Sequence, residues 1–277
     1  MLVKTVAELR DILNETNRVS KRIGFVPTMG ALHEGHLRLI QRASQENDIV
    51  VVSIFVNPSQ FNNKDDLKLY PRTLEKDLSF LEKQVNNYLV FHPEVSEIYP
   101  ESDDFRPINL GYLDQVLEGK FRPGHFQGVV HVVHNLFRIV QPTNAYFGQK
   151  DFQQLVIVKY MTKKLGFPIE IVACETLRDP SGLAMSSRNM RLSEVEKVDA
   201  LIIWETLNFV RANKFNFSQT ELKRLAIHFF EKGKLKLEYL EIVNSENLME
   251  TTDLSNSSVC CIAAYCGNVR LIDNLLL

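Results

Sequence analysis

The chain has 277 residues, of which 45% are apolar, and a formal net charge of −2 at pH 7. Its acidic and basic residues are interspersed, so it lacks the field that holds nucleic acid or an anionic membrane surface, and small molecules are the expected partners. Charges interrupt the N-terminal segment, and no apolar run approaches the roughly 20 residues that span a bilayer, which predicts a cytoplasmic protein.

The four cysteines do not form a metal-binding pattern. Cys174 stands alone, whereas Cys260, Cys261 and Cys266 crowd one apolar segment near the end of the chain. A metal site there needs a fourth ligand, and neither the usual ligand spacing nor a nearby histidine is present. Buried free thiols are therefore expected.

Predicted helices and strands alternate from the start of the chain. Thr5 and Glu8 form a capping-box pattern ahead of helical apolar spacing, so we expect a first helix before the first strand. Residues 23–28 and 49–56 are apolar runs rich in β-branched residues, which is typical of parallel strands buried on both faces. Residues 35–47 between them have the length of a crossover helix.

The alternation continues to residue 175. Further helices are predicted at 73–84, within 126–140 and at 151–166, and further strands at 88–91, around 144–148 and at 168–175. This order predicts an α/β fold with a doubly wound parallel sheet. Ligands of such sheets bind beyond the carboxyl ends of the strands.

A different pattern follows residue 176. Helices with capping signals are predicted within 193–213 and 218–233, and strands at 237–244, 258–266 and 268–273. Helices followed by strands indicate a second, smaller α+β domain. We therefore predict a first domain at 1–176 and a second at 177–277.

The segment PTMGALHEGH, residues 27–36, is the first candidate site. Gly30 and Gly35 permit close approach of the backbone, and the free amides of the helix that begins near Gly35 favour an anion. His33 and His36 add donors for the charge that develops on a phosphate during transfer. A zinc site is the weaker alternative, because helical zinc ligands are usually four apart and further ligands are not evident. A purely structural histidine pair remains open.

Two more candidate sites follow predicted strands. The amides of Asn57 and Gln60 can orient a substrate without adding charge, although Asn-Pro is also a common turn signal. Lys150 beside a helix N-terminus suits phosphate, and Asp151 either holds a hydrated magnesium ion or caps the helix. Gln154 lies one turn beyond Lys150 on the same side.

The segment LAMSSRN, residues 183–189, is the last candidate site. Ser186, Ser187 and Arg188 combine hydroxyl donors with a guanidinium, a set that matches phosphate oxygens. A linker with a helix cap is the alternative.

Four other residues were considered as site residues, and two missing glycine motifs limit the possible classes of nucleotide-binding protein. Arg122 and His125 precede the predicted helix within 126–140 and can approach a site, whereas we expect His131 and His134 inside that helix to lie on its surface or in a satisfied core contact. No GxGxxG follows the first strand and no GxxxxGK[ST] occurs, which disfavours a Rossmann dehydrogenase and a P-loop ATPase.

The segments PTMGALHEGH, VSIFVNPSQF, FGQKDFQQL and GLAMSSRN, in this order and spacing, closely resemble the pantothenate synthetase family. LEGKFRPGHFQGV and RLIDN strengthen the resemblance, which runs over nearly the whole chain; HEGH alone indicates only the wider HxGH nucleotidyltransferase superfamily. The resemblance implies a Rossmann-like domain with a smaller C-terminal lid, usually in a homodimer. It also implies an ATP-dependent ligase that joins pantoate to β-alanine through a pantoyl adenylate, releasing AMP and pyrophosphate.

Roles of single residues are also implied by the resemblance. His36 is the usual proton donor, and His33, Lys150 and Arg188 complete the expected catalytic set. The expected substrate-binding residues are Gln60, Gln154 and Asn57; Gln60 and Gln154 would bind pantoate, with Gln60 also at the β-alanine site. Asp151 would bind Mg²⁺. The expected ATP-binding residues are Met29, Gly30, Ala31, Leu32, His33, Glu34, Gly35, His36, Gly148, Gln149, Lys150, Asp151, Leu177, Met185, Ser186, Ser187 and Arg188.

The sequence departs from the family pattern at Ser181. Two alternative functions also stay open. Ser181 precedes Gly182 where many members carry aspartate, so a carboxylate near the predicted hinge is missing. A nucleotidyltransferase would leave AMP or CMP on a phosphorylated acceptor, whereas the ligase releases AMP. A nucleotide sensor or scaffold would keep the pocket without turnover, although the intact catalytic set argues against it.

Overall fold

The structure is a computed structural model that describes residues 1–16, 21–62, 64–255 and 257–277. The chain forms two compact units. The first contains Met1–Leu110, Arg122–Gly148 and Ile157–Cys174, and the second contains Gly111–Phe121, Gln149–Val156 and Glu175–Leu277. The second unit thus includes two short segments from the N-terminal half and middle of the chain, and the domain limits of 1–176 and 177–277 stay a prediction.

A parallel sheet forms the centre of the first unit. Its strands are β1 (Leu2–Val3), β2 (Ile23–Thr28), β3 (Ile49–Ile54), β4 (Tyr88–Phe91), β5 (Asn144–Gly148) and β6 (Glu170–Cys174). They lie in the order β1-β4-β3-β2-β5-β6, and every neighbouring pair is parallel. Thr28 pairs with Ile54, so β2 and β3 end at the same level and the turns that follow them start side by side.

Helices cover both faces of this sheet. They are α1 (Val6–Glu15), α2 (Glu34–Glu46), α3 (Lys64–Leu69), α4 (Leu74–Glu82), α5 (Val95–Ile98), α7 (His125–Val140) and α8 (Phe152–Lys164). On one face Val26 belongs to a buried cluster with Ile40 of α2 and Leu81 of α4. On the other, Phe25 makes an edge contact with Phe137 of α7 at 6.3 Å between ring centroids. The predicted doubly wound α/β fold is confirmed.

The N-terminus confirms one local prediction and corrects another. Thr5 Oγ1 accepts from the Glu8 amide at 3.2 Å, and the Glu8 carboxylate accepts from the Thr5 amide, so the capping box is present. However, β1 precedes α1 and pairs with Val90 and Phe91 of β4. A two-residue strand is too short to show a period, which is why the prediction of a helix ahead of the first strand was wrong.

An antiparallel sheet forms the centre of the second unit. Its strands β7 (Lys236–Asn244), β8 (Ser258–Cys266) and β9 (Val269–Leu276) are adjacent in that order. The helices of this unit are α6 (Leu117–Phe121), α9 (Glu194–Asp199), α10 (Leu201–Asn213) and α11 (Gln219–Phe230). One face of the sheet packs on α10 and α11, and the other on α6 and the first turn of α8. The predicted α+β character of this part of the chain is confirmed.

The four cysteines are buried and unpaired, as the sequence predicted. Burial is the main cause that raises the pKa of Cys174, Cys260, Cys261 and Cys266, so these thiols are inert near neutral pH. Within the described ranges, no helix is both long and apolar enough to cross a membrane.

Candidate active site

The turn from β2 to α2 has an unusual backbone that its sequence permits. Gly30 has a φ of 78° and Ala31 a φ of 48°, both in the left-handed region. A Cβ atom on Gly30 would lie 3.1 Å from Asp77 Oδ2 and from Ile54 Cγ2. Glycine is therefore favoured at position 30 for both its conformation and its small size.

Asp77 holds this turn although it lies far from it in the sequence. The side chain is buried in α4, where Oδ2 accepts from the Ala31 amide at 2.9 Å and Oδ1 accepts from the Leu32 amide at 2.8 Å. Thr73 Oγ1 donates to the same carboxylate at 3.2 Å. Asp77 was not predicted from the sequence, because an aspartate in the first turn of a helix is commonplace and its partners lie 45 and 46 residues away.

The two histidines of HEGH form a capping box at the start of α2. His33 Nδ1 accepts from the Gly35 amide at 3.1 Å, and His36 Nδ1 accepts from the His33 amide at 3.4 Å. The rings lie 4.1 Å apart between centroids. Because each Nδ1 faces an N–H donor, the proton of each neutral imidazole is on Nε2. The spacing thus yields two Nε2–H donors beside the helix N-terminus, an arrangement suited to an anion.

Replacing Asp77 should weaken both the fold and the site. Asp77→Ala leaves two amides of the turn without their acceptor, so we expect the free energy of unfolding to fall by about 2–4 kcal/mol. Denaturant unfolding measures this loss. The exposed Glu75→Ala on the same helix is the control, and an equal loss in both variants would contradict the role of Asp77.

Asn57 and Gln60 lie in the turn after β3. Asn57 is 1% exposed, and its Oδ1 accepts from the amide and hydroxyl of Ser59 and from the hydroxyl of Tyr99. Asn57 Nδ2 donates to Gln60 Oε1 at 3.0 Å and to the Gly128 carbonyl at 3.3 Å. The hydrogen-bonding capacity of Asn57 is therefore used within the chain. Gln60 Nε2 lies 3.3 Å from the Met29 sulfur, which places these two predicted site residues in contact.

Helix α7 fixes the position of this turn. Gly128 faces it so closely that a Cβ atom would lie 2.4 Å from the Ser59 carbonyl oxygen. The Gln60 carbonyl lies 2.7 Å from His125 Nδ1 and accepts from Arg122 Nη2 at 3.4 Å. Arg122 and His125 do approach the candidate site, but the group that they contact is the backbone carbonyl of Gln60.

In the second unit, Lys150 and Asp151 lie in a 3-10 turn (Gln149–Asp151) that leads into α8. Lys150 Nζ is 3.8 Å from Asp151 Oδ1, and the side chains are 19% and 49% exposed. Asn274 of β9 holds this turn, because its Nδ2 donates to the carbonyls of Gln149 and Lys150 at 2.8 and 2.9 Å.

Asp273, which precedes Asn274 in β9, holds the segment that leads to LAMSSRN, residues 183–189. Asp273 accepts a bidentate pair of bonds from Arg178 at 2.5 and 2.9 Å. The Arg178 guanidinium also lies 3.7 Å from the centroid of the Trp204 ring. A Cβ atom on Gly182 would overlap Trp204, which explains the glycine. Two consecutive residues of RLIDN thus anchor both candidate phosphate-binding segments of this unit.

Ser181 has a defined role where the family pattern led us to expect aspartate. Its amide and hydroxyl both donate to Asp179 Oδ1, which also accepts from the Leu183 amide. Burial would raise the pKa of Asp179, but these hydrogen bonds outweigh it and lower the pKa. The loop therefore keeps an ionised carboxylate at Asp179 and closes around it.

The remaining predicted residues follow this loop. The Met185 amide donates to the Leu177 carbonyl at 2.9 Å, and Ser186 caps a 3-10 turn (Ser187–Arg191) by accepting from the Arg188 amide. The first unit thus brings together Met29–His36, Asn57 and Gln60, with Gly148 at the end of β5 next to β2. The second unit holds the other predicted site residues, namely Gln149, Lys150, Asp151, Gln154, Leu177, Met185, Ser186, Ser187 and Arg188.

A magnesium ion at Asp151 is compatible with this geometry. The described residues contain no group of three or more histidine, cysteine, aspartate or glutamate side chains placed to hold a metal. Mg²⁺ usually keeps several waters and is bound by one or two carboxylates together with substrate phosphates. One half-exposed carboxylate beside a lysine fits an ion that arrives with a nucleotide.

The chain is similar along its whole length to proteins of one family. A family model described as pantoate-beta-alanine ligase matches residues 1–276. The pantothenate synthetase of Phocaeicola vulgatus is 50% identical, over 99% of this chain and 98% of the relative. A pantothenate synthetase structure from Thermus thermophilus has a TM-score of 0.92 and 43% identity, covering 99% of this chain and 98% of the other.

A third relative was solved with ligands. It is the pantoate-beta-alanine ligase of Francisella tularensis complexed with beta-gamma ATP and beta-alanine, with a TM-score of 0.82, 38% identity and coverage of 100% and 97%. The expectation drawn from the four segments is therefore confirmed at the level of the family. This chain belongs to the pantoate-beta-alanine ligase family.

Proposed function

We propose that this chain joins pantoate to β-alanine with ATP, through a pantoyl adenylate formed on its own HEGH and Gln60 residues. The observation that carries this proposal is the histidine pair of α2, whose two Nε2–H donors lie on the turn that also contacts Gln60. A carboxylate is inert toward an amine. The pantoate carboxylate must therefore first attack the α-phosphorus of ATP, forming a mixed anhydride with AMP and expelling pyrophosphate.

The residues of β2 and α2 would stabilise the charge of this first step. Negative charge grows on the α-phosphate oxygens and on the departing pyrophosphate. Nε2–H donors of His33 and His36 and the positive end of the α2 dipole would supply fixed positive partial charge for it. Since the backbone already holds both rings through Nδ1, little reorganisation is needed in the reaction.

Gln60 would orient pantoate without neutralising its carboxylate. Its Oε1 is taken by Asn57, which leaves the Nε2 group as the donor that can meet pantoate oxygens. An uncharged donor suits a carboxylate that must remain a nucleophile, because a strong ion pair would stabilise the ground state. We assign Asn57, predicted as a substrate-binding residue, to holding Gln60.

The second unit would supply the remaining charge. Lys150 and Arg188 would bind phosphate oxygens, with Gln149, Leu177, Met185, Ser186 and Ser187 around the nucleotide and Gln154 on pantoate. A magnesium ion held by Asp151 would neutralise part of the triphosphate charge. Closure of this unit as a lid would shield the adenylate from water until the amine of β-alanine attacks its carbonyl carbon and releases AMP.

The nucleotide product tests this proposal. Purified protein with Mg²⁺, ATP, pantoate and β-alanine should form AMP and pyrophosphate over many turnovers. With pantoate alone it should exchange labelled pyrophosphate into ATP. Formation of ADP would instead indicate an acyl phosphate, and a nucleotide retained on the acceptor would indicate a transferase. We extend the proposal to a cytoplasmic homodimer, and a monomer mass in sedimentation equilibrium would contradict the dimer.

Gln154→Ala should weaken the binding of pantoate but not the binding of ATP. Because an uncharged amide on pantoate contributes nothing to the triphosphate, we expect pantoate affinity to fall about 10-fold or more while ATP affinity changes little. Calorimetric titration of each substrate measures this difference. Gln153→Ala would be a poor control, since Gln153 caps α6; the exposed Lys159→Ala on the same helix is suitable. Equal losses for pantoate and ATP would contradict the assignment.

A further inference from the structure

Tyr99 contacts the residues that hold Gln60. Its hydroxyl donates to Asn57 Oδ1 at 2.7 Å and lies 3.2 Å from Ser59 Oγ. Burial is the main cause that raises the pKa of Tyr99 to about 12, so the hydroxyl stays protonated near neutral pH. With donors from Tyr99 and Ser59 on one side, only the oxygen of the Asn57 amide can face them, and its NH₂ group must face Gln60.

The orientation of Asn57 determines the orientation of Gln60. Asn57 Nδ2 donates to Gln60 Oε1 at 3.0 Å, so the Gln60 Nε2 group is left on the side of Met29. Reversal of the Asn57 amide would turn its acceptor toward Gln60 and reverse the Gln60 amide in the same way. The Tyr99 hydroxyl therefore helps to select a donor at the position proposed for pantoate.

His131 and Asp103 hold the segment that carries Tyr99, residues 99–105. His131 Nε2 of α7 lies 2.5 Å from Asp103 Oδ2, and Asp103 also accepts from Asn135 Nδ2 and from the Phe105 amide, each at 3.1 Å. Burial acts to raise the pKa of Asp103, but the bonds from His131, Asn135 and Phe105 outweigh it and lower the pKa. An ionised carboxylate thus forms a charge-assisted hydrogen bond with His131.

The imidazole of His131 also touches Tyr99 directly. The Tyr99 and His131 rings meet edge to face with centroids 4.6 Å apart, and Phe105 stacks on His131 at 4.2 Å. His131 therefore lies between two aromatic rings of the same segment, while its Nε2 contacts the carboxylate of that segment. Loss of the His131 bond to Asp103 would free the ring that supports Tyr99.

We propose that Tyr99 and His131 are positioning residues for pantoate: the His131–Asp103 pair fixes Tyr99, and Tyr99 fixes the Asn57 amide that orients Gln60. This assignment rests on the proposed function. Neither residue touches the reacting atoms; the contacts run from His131 to Tyr99, then to Asn57 and to Gln60. The effect falls on pantoate, because none of these contacts involves the histidine pair of α2.

Three variants and the pyrophosphate exchange assay test this assignment. Tyr99→Phe removes one oxygen atom, and we expect it to raise the KM for pantoate by roughly 3- to 10-fold, the effect of one hydrogen bond, with little change in the KM for ATP. His131→Leu should act in the same direction. His131→Gln keeps a donor near Asp103 and should restore most of the pantoate affinity.

The matched control breaks a different contact between α7 and the same segment. Arg138 pairs with Asp104 at 2.6 Å on the surface, where both side chains are more than half exposed. Arg138→Gln should leave the KM for pantoate within about twofold, because exposed ion pairs contribute little. Thermal unfolding of each variant separates loss of fold from loss of positioning.

The outcomes distinguish this assignment from the proposed function. An unchanged KM for pantoate in Tyr99→Phe and His131→Leu, an equal rise in KM for ATP, or a fall in kcat alone would each overturn it. If His131→Leu does not fold, Tyr99→Phe decides the question, since it preserves the ring and the packing. An unmutated enzyme that makes no pantothenate would contradict the proposed function itself.

Discussion

His36→Ala should reduce pyrophosphate exchange by about 100- to 1,000-fold, the loss typical of one preorganised donor at a developing negative charge. The structure provides the reason for so large an effect. His36 Nδ1 is held by the His33 amide, so the proton of the neutral ring lies on Nε2 and the donor is fixed before substrate binds. The loss should appear mainly in kcat, because the bond strengthens as charge develops on the α-phosphate.

The design of this test must exclude a simple loss of the helix cap. His36 occupies the third position of α2, where its capping bond contributes about 0.5–2 kcal/mol to stability. Far-ultraviolet circular dichroism and denaturant unfolding should therefore show a folded variant. Gln45→Ala, an exposed change on the same helix, should retain full exchange. A rate for His36→Ala within about 10-fold of the unmutated enzyme in single-turnover adenylation would rule out the assigned role.

The sequence was informative where structure follows from local patterns. The apolar run at 23–28 matches β2 without error, and the helix predicted within 126–140 matches α7 to one residue at its N-terminus. These elements are long, and their period is visible in a short window. The elements that were missed are short: β1, α3, α5 and α6 have at most six residues each, too few for a period to be recognised.

The roles of the candidate site residues stay predictions, but the geometry of HEGH is local, because its capping box joins residues only three apart. The residues that hold the site could not be found this way. Asp77 reaches Ala31, Tyr99 reaches Asn57 and Asn274 reaches Lys150 over separations of 46, 42 and 124 residues. Such contacts depend on the packing of whole elements, which no local pattern indicates.

The segment RLIDN, residues 270–274, has a structural role that its resemblance to the family did not explain. In the sequence, this segment only strengthens the family resemblance. In the structure, Asp273 binds Arg178 and Asn274 binds the carbonyls of Gln149 and Lys150. One strand therefore anchors two candidate phosphate-binding segments that are separated along the chain, and this physical role could be inferred only once β9 was placed beside both.

Lys150→Ala is the second change for which we expect a large effect, a fall of about 100-fold in pyrophosphate exchange. The Lys150 side chain is only 19% exposed and Lys150 lies in a turn whose carbonyls accept from Asn274, so its ammonium group is confined before ATP binds. A confined charge stabilises a departing pyrophosphate more than a mobile one, because less ordering is required in the transition state. Lys150→Arg keeps the charge and should recover part of the rate.

Stability measurements separate this role from a structural one. The 3.8 Å contact of Lys150 with the half-exposed Asp151 should contribute only about 0–1 kcal/mol to folding, so Lys150→Ala should unfold at nearly the same denaturant concentration as the unmutated protein. Lys159→Ala removes an exposed lysine from α8 and should leave exchange unchanged. If Lys159→Ala lost as much activity as Lys150→Ala, the effect would reflect net charge, and the assignment of Lys150 to the phosphates would be wrong.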